Sequence, residues 1–197
     1  MSPPPYPTRD PAGALERHHH SFFAGHDFAV RRWSLGPWHD RVPEFFVHEV
    51  APGPRIGAWT YLTIGVWPAV HSGTGHGLEF LITAPEADVR MVELLTMVAY
   101  YHAGPGSQRL DVGHTVPIGA PWLRESSCNH LLVGLPYAYG PELEHCAWEG
   151  GHARLLALVP ITEEEHAYKV HHGADALEAR LEEAAAVVAD PARPSAV

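Results

Sequence analysis

Acidic and imidazole side chains are concentrated in one stretch of this sequence, TEEEHAYKVHH over residues 162–172. Carboxylates and imidazoles bind transition metals and transfer protons, so a metal site or an acid–base pair is one interpretation. The alternative is a helix boundary: Thr162 and Glu165 match a capping box, and histidines suit the negative end of a helix. Gly173 stands where such a helix would end. The pattern therefore favours helix architecture, with Thr162, Glu165 and Gly173 as capping residues.

Three other histidine motifs could bind a metal, and each lacks part of a known pattern. His48 in HEV has no second histidine at the spacing of HExxH. In EHCAWEGGH, His145 and Cys146 would point to opposite faces of an extended segment. The triplet over 18–20 lies inside a segment that predicts a short helix, LERHHHSFF. We therefore predict no native metal site and no cofactor.

The candidates for catalysis are equally incomplete. Cys128 and His130 could share one face of a strand, but no neighbouring residue orients the imidazole. Glu49 and Glu79 lie on separate predicted strands, and each suits the polar face of its strand better than an acid–base pair. The glycine-rich segment 72–77 is followed by a strand, whereas a phosphate loop precedes a helix. We therefore predict no catalytic residues and a protein that is not an enzyme.

The net charge of the chain excludes some classes of binding partner. The 197 residues include 13 basic and 23 acidic side chains, a formal charge of −10, which argues against nucleic acid or an anionic membrane surface. From residue 137 onward there are 11 acidic and 4 basic residues. That acidic third is either a solvated face or a surface for a basic protein. No apolar run approaches the roughly 20 residues of a membrane span, and no signal peptide is present, so we expect a cytoplasmic protein.

The periodicity predicts a single compact α+β domain. Short segments rich in β-branched and aromatic residues predict strands, among them GAWTYLTIGVW, GLEFLITA, TVPIG, HLLVGLPY and ARLLALVPI. Between them, the segment 85–106 predicts a buried helix, and two helices follow residue 162. The expected fold is a central, mostly antiparallel or mixed sheet flanked by helices. We expect a disordered proline-rich segment over 1–14, the domain over 15–189 and a flexible tail over 190–197.

Aromatic residues supply the positive signal for binding. Four of them lie in or beside predicted loops after the central helix: Trp122, Tyr137, Tyr139 and Trp148. Amphipathic aromatic side chains near loop ends are enriched in protein–protein interfaces. We therefore predict that these residues contact a protein partner.

Several motifs together resemble the suppressor of fused-like domain family. They are GAWTYLTIGVW, MVELLTMVAYYH, VGHTVPIG before a Pro-Trp loop, HLLVGLP, and LLALVPITEEEHAYKVHHGADALEARL. The resemblance covers about residues 45–181, and the last motif is the most specific because strand, Thr-Glu-Glu turn and second helix keep one spacing. This chain is identified as a bacterial single-domain member.

The resemblance implies a protein-binding domain without catalytic residues. Animal members bind a zinc-finger transcription factor through a peptide held between two lobes, but this chain is too short for the second lobe, and its loop GAPWLRESS lacks an Asp among residues 119–123. Bacterial relatives are regarded as immunity proteins that neutralise a toxin of their own strain. Acidic residues of the last helix, Glu178, Glu182 and Glu183, would suit a basic toxin domain. The alternative is a regulatory or scaffold subunit of a cytoplasmic assembly, and the oligomeric state stays open.

Overall fold

The computed structural model describes residues 10–69, 76–105 and 109–197. The helices of this part are α1 (Pro11–Phe22), α2 (Val89–His102), α3 (Pro141–Glu144), α4 (Glu163–His172) and α5 (Ala174–Glu183). The strands are β1 (Phe28–Arg31), β2 (Phe46–Val50), β3 (Trp59–Ile64), β4 (His76–Ala84), β5 (Thr115–Pro117), β6 (Cys128–Gly134), β7 (His145–Trp148) and β8 (Gly151–Thr162). Short 3₁₀ turns occupy Trp38–Asp40 and Trp67–Ala69. Most of the predicted glycine-rich loop, residues 72–75, lies outside the described residues.

One mixed sheet organises the chain. Its strand order is β1-β2-β3-β4-β8-β6-β5, with β7 paired to the start of β8. Neighbouring strands are antiparallel except β4 and β8, which run parallel with Leu81 opposite Ala157. A parallel pair needs a long crossover, and here α2 and strands β5 to β7 lie between the two strands along the chain. The prediction of a single α+β domain with a mixed sheet flanked by helices is confirmed.

Helices cover both faces of the sheet because successive strand residues point to opposite sides. One face packs against α2, and its fully buried residues include Tyr61, Phe80, Ile82, Met91, Leu94 and Val98. The other face packs against α1 through Leu15, Phe23, Leu62, Leu81 and Leu155. Further along that second face, α5 places Leu177 and Leu181 on Leu132 and Ile161. The α4–α5 pair therefore covers the sheet at the end where β4 and β8 stop pairing.

Helix α1 begins earlier than the composition predicts. Residues 11–14 are helical, so the expectation of disorder over 1–14 is wrong for them. The Asp10 side chain accepts a hydrogen bond from the Gly13 N–H at 3.0 Å. Pro11 follows at the first helical position, where its missing N–H leaves no intrahelical bond unmade. Pro11 therefore begins a helix, although the proline-rich composition around it predicts disorder.

Helix α4 starts and ends with the three capping residues. Thr162 Oγ1 accepts from the Glu165 N–H at 3.2 Å, and Glu165 Oε2 accepts from the Thr162 N–H at 2.9 Å. Gly173 ends the helix with a φ of +93°, a conformation that glycine adopts without a Cβ clash. Glutamates in the first turn and histidines in the last turn complement the helix dipole.

The last residues are tied to the start of α4. Arg193 is buried, and its guanidinium donates to both carboxylate oxygens of Glu165 at 2.7 Å and to the Pro160 carbonyl at 2.8 Å. Burial pushes the pKa of Glu165 upward, but hydrogen bonds from Arg193 and two backbone N–H groups outweigh it and hold that pKa below its usual value. The expectation of a flexible tail over 190–197 is wrong because Arg193 finds its acidic partner 28 residues away.

Two further properties concern membrane-spanning helices and the cysteine thiols. Among the described residues, no helix is both long and apolar enough to cross a membrane. Cys128 and Cys146 are free and buried. Burial raises the pKa of Cys128 and, together with the nearby Glu79 carboxylate, raises that of Cys146 to about 11. Both thiols are therefore protonated near neutral pH and are poor nucleophiles.

Buried imidazoles give the fold a dependence on pH. His19 of α1 and His48 of β2 meet with their Nδ1 atoms 3.2 Å apart, and His102 lies at the end of α2. Burial is the main cause that lowers the pKa of His19 well below 6.5 and the pKa values of His48 and His102 to about 4. All three are neutral in the folded protein at pH 7.

Acidification from pH 7 to pH 5 is expected to destabilise the protein. The unfolded chain binds protons below its histidine pKa of about 6.5, whereas the folded chain resists protonation until about pH 4. Stability therefore falls across that window, by about 2 kcal/mol at pH 5 for each of His48 and His102. Glu79 acts in the opposite sense, because burial raises its folded pKa to about 7, and returns about 2 kcal/mol. The net loss is at least about 2 kcal/mol, with His19 adding to it.

Urea unfolding at the two pH values measures this effect. His48→Gln should reduce the difference in stability between pH 7 and pH 5, since it removes one of the suppressed titrations. His39 is exposed, so His39→Gln is the matched control and should leave the difference unchanged. An identical pH difference in the wild type and both variants would contradict the assignment.

Candidate functional site

A groove lies where the parallel strands β4 and β8 separate. Their pairing ends at Leu81 and Ala157, yet β4 continues to Ala84 and β8 to Thr162. Pro160 therefore lies inside β8, paired with β6 on one side only. Proline is tolerated there because the side of β8 that faced β4 has become an edge. The groove over this opening has a volume of about 950 Å³.

Helix α5 forms one wall of the groove. Leu177 and Leu181 are buried against the sheet, which fixes the rotation of the helix about its axis. Side chains three and four residues apart share a helix face. Asp175, Glu178 and Glu182 accordingly line the groove together. Because the two leucines fix how α5 is rotated, they also determine that these three acidic side chains face the groove.

The loop after β6 forms the opposite wall with two tyrosines. Tyr139 is buried, and its hydroxyl is hydrogen-bonded to Thr60 Oγ1 at 3.0 Å and to Thr83 Oγ1 at 2.6 Å. Tyr137 is 70% exposed and donates its hydroxyl to Glu178 Oε2 at 3.1 Å. One ring is therefore held rigidly at the sheet while the other reaches across to the acidic wall.

The groove combines an apolar floor with a rim of one charge sign. Its floor includes Leu81 of β4, Val159 of β8 and Leu132 of the neighbouring strand β6. Among the described residues that line it, three are carboxylates and none is Lys, Arg or His. Carboxylates beside low-dielectric walls create a negative potential that attracts cations. The arrangement suits a ligand that carries apolar and basic groups together.

The structure brings four of the seven predicted binding residues to this groove: Tyr137, Tyr139, Glu178 and Glu182. The other three lie elsewhere. Trp122 is completely buried and donates to Ser126 Oγ at 3.0 Å, so the prediction that it contacts a partner is wrong. Its ring belongs to the core beneath α2. The ring of Trp148 packs on that of Trp67, with centroids 5.6 Å apart. Glu183 Oε2 forms an ion pair with Arg180 Nη1 at 3.0 Å.

Glu49 and Glu79, the two carboxylates considered as an acid–base pair, bind different partners. Glu49 accepts two hydrogen bonds from Arg31, at 2.8 and 3.2 Å. Glu79 is fully buried, and its Oε1 accepts three backbone N–H groups from residues 65–67 at 3.0 to 3.1 Å. Its Oε2 accepts from Thr63 Oγ1 at 2.5 Å. Glu79 therefore holds the turn after β3 in place.

The histidine motifs are also dispersed. His48 contacts His19 and His20 of α1 rather than a second ligand of an HExxH pattern. On β7, His145 is exposed while Cys146 is buried, as the opposite faces of a strand require. Sequence reasoning missed a third grouping, His130 with Glu163 and His166, because its members come from a strand and a helix start. No local spacing marks such a cluster.

Comparison with known proteins identifies relatives of this chain. Residues 43–194 match the family model of Suppressor of fused protein (SUFU). A crystal structure described as a SUFU homologue from Neisseria gonorrhoeae FA 1090 has 31% sequence identity and a TM-score of 0.81. The alignment covers 96% of this chain and 98% of that chain.

More distant structures share the fold. The Sufu–Fu complex structure matches with 14% identity and a TM-score of 0.68, over 88% of this chain and 84% of that chain. Drosophila Suppressor of Fused matches with 13% identity and a TM-score of 0.64, over 93% of this chain but 50% of that chain. A search of curated protein sequences finds no significant match.

Proposed function

This chain belongs to the suppressor of fused family, and on that premise we propose that it is a non-catalytic protein-binding domain, an immunity protein that binds and neutralises a basic toxin domain. The observation that carries the proposal is the groove between α5 and the separating strands, with its apolar floor and three carboxylates. Another member of the fold family is described in complex with a protein, Fu.

The groove can recognise an extended peptide segment. Beyond Leu81 and Ala157 the two strands no longer pair with each other. On β8 the Pro160 carbonyl already accepts from Arg193, and proline has no N–H, so an added segment would pair with the β4 side. Addition of a strand to such an edge is a common mode of peptide recognition, in which the backbone supplies affinity and side-chain pockets supply specificity. Apolar side chains of the segment would enter the floor, and its Lys or Arg residues would meet Glu178 and Glu182.

A toxin as the partner is supported by charge and by the resemblance to bacterial immunity proteins. The chain carries a formal charge of −10, and the groove adds a local concentration of acid. Nuclease toxins are basic because they bind nucleic acid, so electrostatic attraction would accelerate their capture. In this setting the protein acts in the cytoplasm of the producing cell, where the toxin would otherwise act.

Neutralising the groove is expected to weaken binding. Glu178→Gln with Glu182→Gln should reduce affinity for the partner about tenfold, with a loss that shrinks as salt is added. The partner is first obtained by affinity purification from the native host, and binding is then measured by calorimetry. Glu164→Gln with Glu183→Gln removes the same charge from exposed positions outside the groove. Equal affinities for the two double variants would contradict binding at the groove.

Cell survival separates the two candidate functions. If the co-purified partner kills cells unless this chain is co-expressed, the immunity function is supported. A partner that is harmless when expressed alone would favour the alternative, a regulatory or scaffold subunit. Loss of protection in the Glu178–Glu182 variant, but not in the Glu164–Glu183 variant, would link survival to the groove itself.

A further inference from the structure

A compact cluster of metal-binding side chains lies at the start of α4, away from the lining of the groove. One nitrogen from each of His130 and His166 and one carboxylate oxygen of Glu163 all lie within 4.8 Å of one another. His130 comes from β6, whereas Glu163 and His166 occupy successive turns of α4, three residues apart. The imidazole rings are stacked, with centroids 4.3 Å apart and an interplanar angle of 16°.

The chemistry of the three groups suits a borderline divalent ion. Zn²⁺ binds imidazole nitrogen at about 2.0–2.1 Å and carboxylate oxygen at about 2.0–2.2 Å. Tetrahedral ligand atoms then lie about 3.3 Å apart, so the present atoms need to approach by at most about 1.5 Å. The in-plane lone pairs of two stacked rings do not converge on one ion, so binding also requires one imidazole to turn out of the stack. Glu163 is exposed and His166 is half-buried, which leaves their side chains room for these rotations.

A neighbouring side chain, Asn129, orients two of the three ligands. Asn129 Oδ1 lies 2.7 Å from His130 Nδ1, and Asn129 Nδ2 donates to Glu163 Oε2 at 3.5 Å. Hydrogen bonds of this kind to the ligands orient metal-binding side chains in many proteins. The negative charge of Glu163 offsets the positive end of the helix dipole.

We propose that His130, Glu163 and His166 bind a divalent transition-metal ion, with Zn²⁺ as the preferred occupant. Three protein ligands leave one tetrahedral position open. Because Glu163 lies at the surface, this position faces solvent and is available to water or to a ligand from a bound partner. The ion would join β6 to α4, the helix that directly precedes α5 and its acidic groove wall.

Titration of untagged, chelator-treated protein tests the site. Zn²⁺ should bind with one-to-one stoichiometry by calorimetry, and Co²⁺ should give the visible absorption of a tetrahedral complex. His166→Gln is expected to weaken Zn²⁺ binding at least about tenfold. His166→Cys should retain binding and add a thiolate-to-Co²⁺ charge-transfer band, which a purely structural role for His166 would not produce.

The control addresses the other histidines of α4. His171 and His172 lie exposed at the far end of the same helix, so His171→Gln with His172→Gln should leave Zn²⁺ affinity unchanged. Circular dichroism establishes that each variant is folded before it is titrated. Zn²⁺ affinity that is the same in His166→Gln as in wild type, or that is lost in the His171–His172 variant instead, would overturn the proposal.

Discussion

Replacing Arg193 with alanine is expected to lower the free energy of unfolding by about 3–5 kcal/mol. The guanidinium satisfies both oxygens of Glu165 and the Pro160 carbonyl, and the side chains of the ion pair are 3% and 0% exposed. Removing one partner leaves a buried carboxylate without its counter-charge, and that loss exceeds the net contribution of the intact pair. Chemical denaturation at pH 7 measures the change.

The exposed pair of Arg180 with Glu183 provides the matched comparison. Their side chains are 50% and 67% exposed, so Arg180→Ala should leave the stability close to that of the wild type. The double variant Glu165→Gln with Arg193→Met should be more stable than Arg193→Ala, because it leaves no uncompensated charge. A loss below about 1 kcal/mol for Arg193→Ala would show that the tail does not contribute as described.

Glu79→Ala is expected to cost a similar amount, about 3–5 kcal/mol. One carboxylate oxygen accepts the N–H groups of Gly65, Val66 and Trp67, and the alanine side chain offers them no acceptor. A buried donor without a partner costs about 1–3 kcal/mol, and burial of the acid itself offsets part of the total. Thermal and urea unfolding of the variant measure the loss.

Glu79→Gln identifies the source of that cost. Its carbonyl can still accept the three backbone N–H groups, so the variant should lose less than half of the stability that Glu79→Ala loses. Glu49→Ala removes a carboxylate whose partner Arg31 is half exposed, and we expect about 1 kcal/mol or less. Equal losses for the glutamine and alanine variants would point to the charge, and not the acceptor, as the stabilising feature.

Sequence patterns that span only a few residues were sufficient to predict much of the fold. Strands β3 to β6 and β8, helix α2 and the start of α4 follow from runs of β-branched and aromatic residues, helical periodicity and the Thr162–Glu165 spacing. Four groove residues were also predicted, because tyrosines near loop ends and glutamates on a helix face are surface features. Trp122 was misplaced because a tryptophan in a Pro-Trp loop looks exposed until the core that encloses it is known.

Features that depend on distant residues could not be predicted in the same way. The partner of Arg193 lies 28 residues away, and nothing in DPARPSAV indicates a buried cation. The groove arises because β4 and β8 diverge after Leu81 and Ala157, a property of two strands that are far apart along the chain. The one-sided pairing of Pro160 inside β8 depends on the same divergence.

The parallel β4–β8 pair also determines what folding must accomplish. Strands β1 to β4 pair with their neighbours along the chain, and so do β5 with β6 and β7 with β8. The β6–β8 pair joins the last two sets, and the β4–β8 pair joins them to the first, which brings His76 beside His152, 76 residues later. Closing a loop of that length costs roughly 4 kcal/mol of chain entropy. The contacts within one local set of strands do not offset this entropy. We therefore expect the sheet to become stable as one cooperative unit.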